Sequence, residues 1–193
     1  MFVKLLPYLE QDNLSKAATA RDPAALNVTV QAFVSPADGS TASTAGLTSY
    51  VANNFTLGAA GRTLQRSFPD GAASTVLFTE RYRACGAQPM YNAWAITAPG
   101  LKVDGQATTL PAALMVTAAP QFAPRATAGS PLCDPARAST PHAGGILVAL
   151  ADGSVRSVSP GAQAGAASSP GGPVPNWQAA LTPDGGEVLG PDW

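Results

Sequence analysis

The sequence predicts an α+β domain in which short N-terminal helices pack on a mainly antiparallel, loop-rich β-sheet. Three observations predict it. Apolar residues recur at helical spacing only near the two ends of the chain. Between them, period-2 stretches and an Asp-Gly turn dominate. The 19 glycines and 18 prolines among 193 residues break the chain into short elements. The core is expected to be small, because Leu, Ile, Val and Phe together make up only about a fifth of the chain, while alanines inflate the apolar fraction of 46%.

A single domain over 1–193 is expected, and its elements follow in order. Phe2, Leu5, Leu6 and Leu9 recur at helical spacing, and Asp12-Asn13 offer a cap for a second short helix from Leu14 to about Ala20. Leu26, Val28, Val30, Ala32 and Val34 alternate with other residues, a period-2 pattern that predicts a half-buried strand. Ser35-Pro36-Ala37-Asp38-Gly39 ends that strand with turn chemistry. Residues 47–55 read as a strand running into a turn at Asn53-Asn54, since asparagine tolerates left-handed backbone. Phe68-Pro69-Asp70-Gly71 turns the chain into a buried strand over 74–81, and a shorter strand is expected over 93–97. Residues 99–141 show little periodicity and read mostly as an irregular insertion. Residues 146–151 and 154–158 flank Asp152-Gly153, which predicts a hairpin with a type I′ turn. Residues 159–175 read as a flexible Pro/Gly/Ala/Ser linker. In 176–193, Asn176 caps a short helix over 177–181 and a tail follows.

Charge excludes one class of function. Eleven basic against 12 acidic residues leave a net charge of −1 with no basic stripe, so the chain does not bind nucleic acid by bulk charge. These residues contain no apolar run long enough to span a bilayer, so no membrane contact by this segment is expected. The opening Met1-Phe2-Val3-Lys4-Leu5-Leu6-Pro7 breaks at Pro7 and reaches Glu10 and Asp12 too soon for a secretory signal. Cys85 and Cys133 lie far apart without a CxxC pair, which excludes a zinc ribbon and a thioredoxin-type site. One disulfide and two free thiols remain equally open at this point.

His142 is the only histidine, so any histidine-based chemistry must use it. A Ser-His-Asp hydrolase could pair it with Asp152, but a strand at about 3.3 Å per residue puts the two roughly 20 Å apart. Asp38, Asp70, Asp104 and Asp134 are the other acids available, and no G-x-S-x-G elbow supplies a nucleophile. A lone histidine without a partner at fixed spacing is weak support for a metal centre, and a hydrogen bond to backbone at a sheet edge is the simpler reading. Asp184, Glu187 and Asp192 are hard oxygen donors that could hold calcium, against the simpler reading of a solvated loop. No other cofactor is expected. Trp94, Trp177 and Trp193 could form a stacking platform for sugar rings, although core packing accounts more simply for two of them.

The ordered motifs resemble a bacterial family. His142, nine intervening residues and Asp152-Gly153, continuing as Ser154-Val155-Arg156, resemble the H-x9-DG motif of the prepilin-type, processing-associated C-terminal domain (domain of unknown function 1559). Leu5-Leu6-Pro7-Tyr8-Leu9-Glu10-Gln11, the stretch from Asp70-Gly71 through Thr79-Glu80-Arg81, and Trp177-Gln178-Ala179-Ala180-Leu181 with Gly185-Gly186-Glu187-Val188 resemble further segments of that family, in family order. The resemblance implies a non-enzymatic, pseudopilin-like head of a type II secretion or type IV pilus-like system, with a pilin-like fold and other pilin-like subunits or envelope proteins as partners. His142, Asp152 and Gly153 are then motif residues. Family members usually begin with a prepilin leader and a long apolar helix, whereas this sequence opens at Met1 just before the Leu-Leu-Pro-Tyr segment. A periplasmic or extracellular location is expected if such a helix precedes it, and a cytoplasmic one otherwise. Where the family often has Cys-Pro-Ser-Asp, this chain has Ser35-Pro36-Ala37-Asp38, and a Cys85–Cys133 disulfide would substitute. Without a covering helix, Val28, Val30, Val76 and Phe78 are expected to be partly uncovered and to promote self-association. A carbohydrate- or calcium-dependent binding module is the alternative reading, and a hydrolase using His142 the third.

Overall fold

The structure is a computed structural model and describes residues 1–40, 46–58, 63, 67–86, 90–95, 102–103, 107–111, 113–114, 117–126, 131–191 and 193. A 3-10 helix over Phe2–Leu9 is followed by α1 (Asp12–Thr19), α2 (Pro23–Leu26), a 3-10 turn over Gln31–Phe33, β1 (Tyr50–Asn53) and α3 (Asn54–Leu57). Then come β2 (Val76–Glu80), β3 (Ala84–Cys85), β4 (Met90–Ala93), β5 (Lys102–Val103), β6 (Ala107–Pro111), β7 (Ala113–Leu114), β8 (Gln121–Phe122) and β9 (Ser139–Thr140). The chain closes with β10 (Ile146–Leu150), β11 (Val155–Val158), α4 (Pro160–Ala164), β12 (Ala166–Ala167), β13 (Val174–Pro175) and α5 (Asn176–Leu181). The fold is α+β, with mainly antiparallel pairing. Packing gathers it into two compact units, one of Met1–Val51, Arg81–Ala113 and Pro124–Pro135, the other of Ala52–Glu80, Leu114–Ala123 and Ala136–Trp193.

In the first unit the N-terminal helix buries Phe2 and Leu6, two of the four residues its spacing singles out, while Leu5 is half-buried and Leu9 exposed. Ser15 Oγ of α1 donates to Val3 O across 3.2 Å and ties the two helices together. Asp12 and Asn13 do not cap α1, whose start at Gln11 has no side-chain cap. Asp22 does cap α2, accepting from Ala24 N at 2.9 Å with Pro23 at the first helical position.

The strand expected over 26–34 does not form. That stretch is instead the end of α2, a short extended link and the 3-10 turn. Phe33, which lies between the alternating residues, packs edge-on against Phe2 at 5.0 Å between centroids and tilted against Trp94 at 6.0 Å. The carbonyls a strand partner would have used are taken by tertiary donors, Trp94 Nε1 on Val28 O and both Thr48 Oγ1 and Ser49 N on Phe33 O. The sheet of this unit runs β3-β4-β6-β5, with β4 and β6 parallel and the outer pairs antiparallel. The strand expected over 93–97 is displaced. It is β4, ending at Ala93, and Thr97 lies outside the described residues. Within the stretch 99–141, expected mostly as an irregular insertion, β5 to β9 form among the described residues. Strands of two to five residues are too short to leave a periodic signature.

The second unit contains β11, β10 and β2, neighbours in that order. β10 buries Ile146, Val148 and Leu150 and alternates them with the exposed Leu147. It pairs antiparallel with β11, Ile146 opposite Val158, and with β2, Val148 opposite Thr79. A bulge at Leu77 lets Val76 return opposite Leu150. The hairpin is present, but its turn is not type I′. Gly153 N donates to Leu150 O at 3.0 Å, Leu150 N donates to Ser154 O at 2.9 Å, and only Gly153 has positive φ, at 87°. This is a three-residue loop, a type I turn closed by a glycine bulge, so Asp152 keeps ordinary backbone.

Residues 159–175, expected as a flexible linker, carry α4, β12 and β13. Ser159 Oγ caps α4 by accepting from Ala162 N at 3.0 Å, and Ala166 and Ala167 pair with Pro175 and Val174. Small side chains give such a stretch little apolar surface to bury, so backbone pairing and caps order it. Helix α5 buries Trp177, Ala179, Ala180 and Leu181. Asn176 is its first residue and makes no cap, because its side chain is used elsewhere. No helix among the described residues is long and apolar enough to cross a membrane.

Candidate functional site

The motif residues stand at opposite ends of β10. His142 is exposed in the loop before the strand, and its backbone amide donates to Thr140 Oγ1 at 3.3 Å. Nothing among the described residues hydrogen-bonds its imidazole, so the expected bond from this side chain to a sheet-edge backbone group is not seen. Asp152 sits at the hairpin tip, where its Oδ1 accepts from Ser154 N at 2.9 Å and Ser154 Oγ at 2.7 Å. Those two bonds, the hydroxyl first, hold the exposed Asp152 carboxyl below the usual aspartate range. Five residues of β10 at about 3.3 Å each separate histidine from carboxylate, too far for a proton relay.

Two of the other carboxylates raised as partners for His142, Asp38 and Asp70, are engaged in holding backbone. Asp38 is buried and saturated: Oδ1 accepts from Ser40 N and Ser40 Oγ, and Oδ2 from Ser49 Oγ and Arg83 N. Arg83 Nε stands 3.4 Å from Oδ2 as an ion pair without hydrogen-bond alignment. Asp70 accepts from Gly186 N with both oxygens, at 3.0 and 3.2 Å, and so pins the C-terminal turn beside its own. Asp134 is exposed next to Cys133, and Asp104 and Asp192 lie outside the described residues. Asp184 and Glu187 share one loop, where Glu187 Oε1 accepts from Thr182 Oγ1 at 3.2 Å. Among the described residues no group of three His, Cys, Asp or Glu side chains could hold a metal ion.

The tryptophans do not form a platform. Trp94 is 2% exposed and Trp177 fully buried, so neither can present a face to a sugar ring. Trp193 has its face covered by the Arg156 guanidinium, 4.8 Å from the ring centroid. Cys85 and Cys133 are joined in a disulfide with Cα atoms 5.4 Å apart, buried in a cluster with Tyr82. That settles the choice left open between paired and free thiols.

What the structure does bring together is a set of buried polar side chains that pin loops. Asn53 Nδ2 donates to Val76 O and Leu181 O, both at 2.8 Å, while its Oδ1 caps α3 at Phe55 N. Asn92 Nδ2 donates to Thr48 O and Tyr50 O, and its Oδ1 accepts from Arg81 Nη2 at 2.7 Å. Asn176 links Ala162 O to Gly190 N. Glu80 Oε2 accepts from Leu147 N at 2.9 Å. Arg81 is fully buried and also donates to Ala113 O, and desolvation pushes its pKa down to about 9. Sequence reasoning missed these roles, treating Asn53 and Asn176 as turn and cap residues. The available signal was asparagine in otherwise apolar stretches of a chain poor in large side chains.

The apolar surface meets expectation at Val28 and Phe78 and departs from it at Val30 and Val76. Val30 and Val76 are buried, Phe78 is half-buried and Val28 is 40% exposed. Leu147 and Val155, 43% and 66% exposed, instead share one face of the sheet with Phe78 and Ala149, since Ala149 lies opposite both Phe78 and Val155. The arrangement can hold loops and offer a contact surface. No family model, curated protein or solved structure matches the chain.

Proposed function

We propose that this chain is a non-enzymatic, pseudopilin-like head that works outside the cytoplasm, in a type II secretion or type IV pilus-like envelope system, and contacts other pilin-like subunits. The observation that carries the reading is the use made of the H-x9-DG residues. Asp152 holds the turn through Ser154, Gly153 takes the backbone that only glycine adopts at ease, and His142 lies across the length of β10 from both. A motif spent on one hairpin builds a scaffold. The disulfide supports an oxidising compartment, and the exposed Leu147 and Val155 supply an apolar contact face.

The test is a photo-crosslinking side chain at Leu147 or Val155 in the native host, followed by fractionation. Adducts with pilin-sized envelope proteins and recovery in the envelope fraction are expected. A cytosolic protein with free thiols and no adduct would overturn the reading.

A further inference from the structure

The stretch Pro124–Pro135 belongs to the first unit, although the residues before and after it, Leu114–Ala123 and Ala136–Trp193, belong to the second. Its described residues bury little: Pro124 and Cys133 are buried, Ala126 and Leu132 half-buried, and Arg125, Pro131 and Asp134 exposed. So small an apolar contribution is a poor match for the entropy of ordering the stretch. Three of its attachments run to 82–86. Tyr82 Oη donates to Pro124 O at 3.1 Å, Gly86 N donates to Ala126 O at 2.8 Å, and Cys133 is bonded to Cys85 inside the Tyr82 cluster. The stretch is also folded on itself, Arg125 N donating to Pro131 O and Cys133 N to Arg125 O.

We propose that the Cys85–Cys133 disulfide is a redox-conditioned clasp that secures the Pro124–Ala126 and Pro131–Pro135 segments of this excursion to β3, so that the first unit is completed only after oxidation while the second unit folds without it. The covalent step is thiol-disulfide exchange with a disulfide-bearing oxidant. One thiolate attacks the oxidant's disulfide, and the second thiolate displaces the oxidant from the mixed disulfide. The two cysteines lose two protons and two electrons, and the oxidant leaves as a dithiol. Once formed, the bond is 1% and 3% exposed at its two residues, which shields it from exchange until the excursion opens.

Trypsin reads the clasp directly. The bond after Arg125 lies in the excursion, and the bond after Arg156 lies in β11 of the second unit. The full chain is compared in three forms: oxidised, refolded under a phosphine reductant, and carrying C85S and C133S together. Cleavage after Arg125 is expected to quicken at least about tenfold in the second and third forms, with cleavage after Arg156 unchanged. Equal rates at Arg125 in all three forms would overturn the clasp. So would Arg125 and Arg156 quickening together, because the bond would then stabilise the whole chain rather than one excursion.

Discussion

Replacing Gly153 isolates one term of the hairpin's energetics. A Cβ built there meets no heavy atom within 4 Å, so any cost comes from the backbone, whose φ is +87°. Holding alanine in that region costs about 1–2 kcal/mol, partly offset by about 0.5–1 kcal/mol from a less flexible unfolded chain. Gly153→Ala is therefore expected to lose about 1 kcal/mol, Gly153→Val about 2, and Gly153→Asn well under 1, because asparagine tolerates left-handed backbone. Gly144 provides the control at the other end of β10: its Cβ also meets nothing within 4 Å, and its φ is not positive. Gly144→Ala should be neutral or slightly stabilising. Urea denaturation followed by far-ultraviolet circular dichroism measures the global loss, and hydrogen exchange at Leu150, whose amide bonds Ser154 O, measures hairpin opening. Equal stability of the Gly153→Ala and Gly144→Ala proteins would refute the backbone argument. An Asp152→Gly protein more stable than the parent would restore the type I′ turn, since that turn alone asks positive φ of residue 152.

Other consequences follow from the same contacts. Asn53→Ala strips the partners from Val76 O, Leu181 O and Phe55 N. A loss of about 2–4 kcal/mol is expected in the same denaturation assay, and a loss below 1 would mean water replaces the amide freely. The Asp152 carboxyl should titrate below an ordinary aspartate by carbon-detected NMR and move up in Ser154→Ala. Because its folded pKa is depressed, the stability it contributes is present above the unfolded value and fades as pH falls through the folded one. An unchanged titration in Ser154→Ala would remove the assigned cause. Trp94→Phe keeps an aromatic ring beside Phe33 but leaves Val28 O without its indole donor. It should lower stability by about 1 kcal/mol without altering binding to any glycan, and a glycan affinity that disappears with this substitution would revive the binding-module reading.

Local chemistry was legible from the sequence because it is decided within a few residues. The helical spacing from Phe2 to Leu9, the strand ending at Glu80 and the hairpin around Asp152-Gly153 each depend on neighbours whose side chains enforce one backbone path. The α+β class follows from those pieces. The turn type escaped prediction because Asp-Gly serves both a type I′ turn and a glycine bulge, and the choice lies in which carbonyl Gly153 N reaches. The alternation from Leu26 to Val34 misled for a related reason: period 2 signals a strand only if another strand takes its carbonyls, and here Trp94, Thr48 and Ser49 take them. Tertiary structure alone decided the pairing of Cys85 with Cys133, the burial of Trp94 and Trp177, and the work of Asn53, Asn92 and Asn176. Each of these joins residues distant in sequence, and a side chain that hydrogen-bonds remote backbone leaves no periodic trace along its own segment.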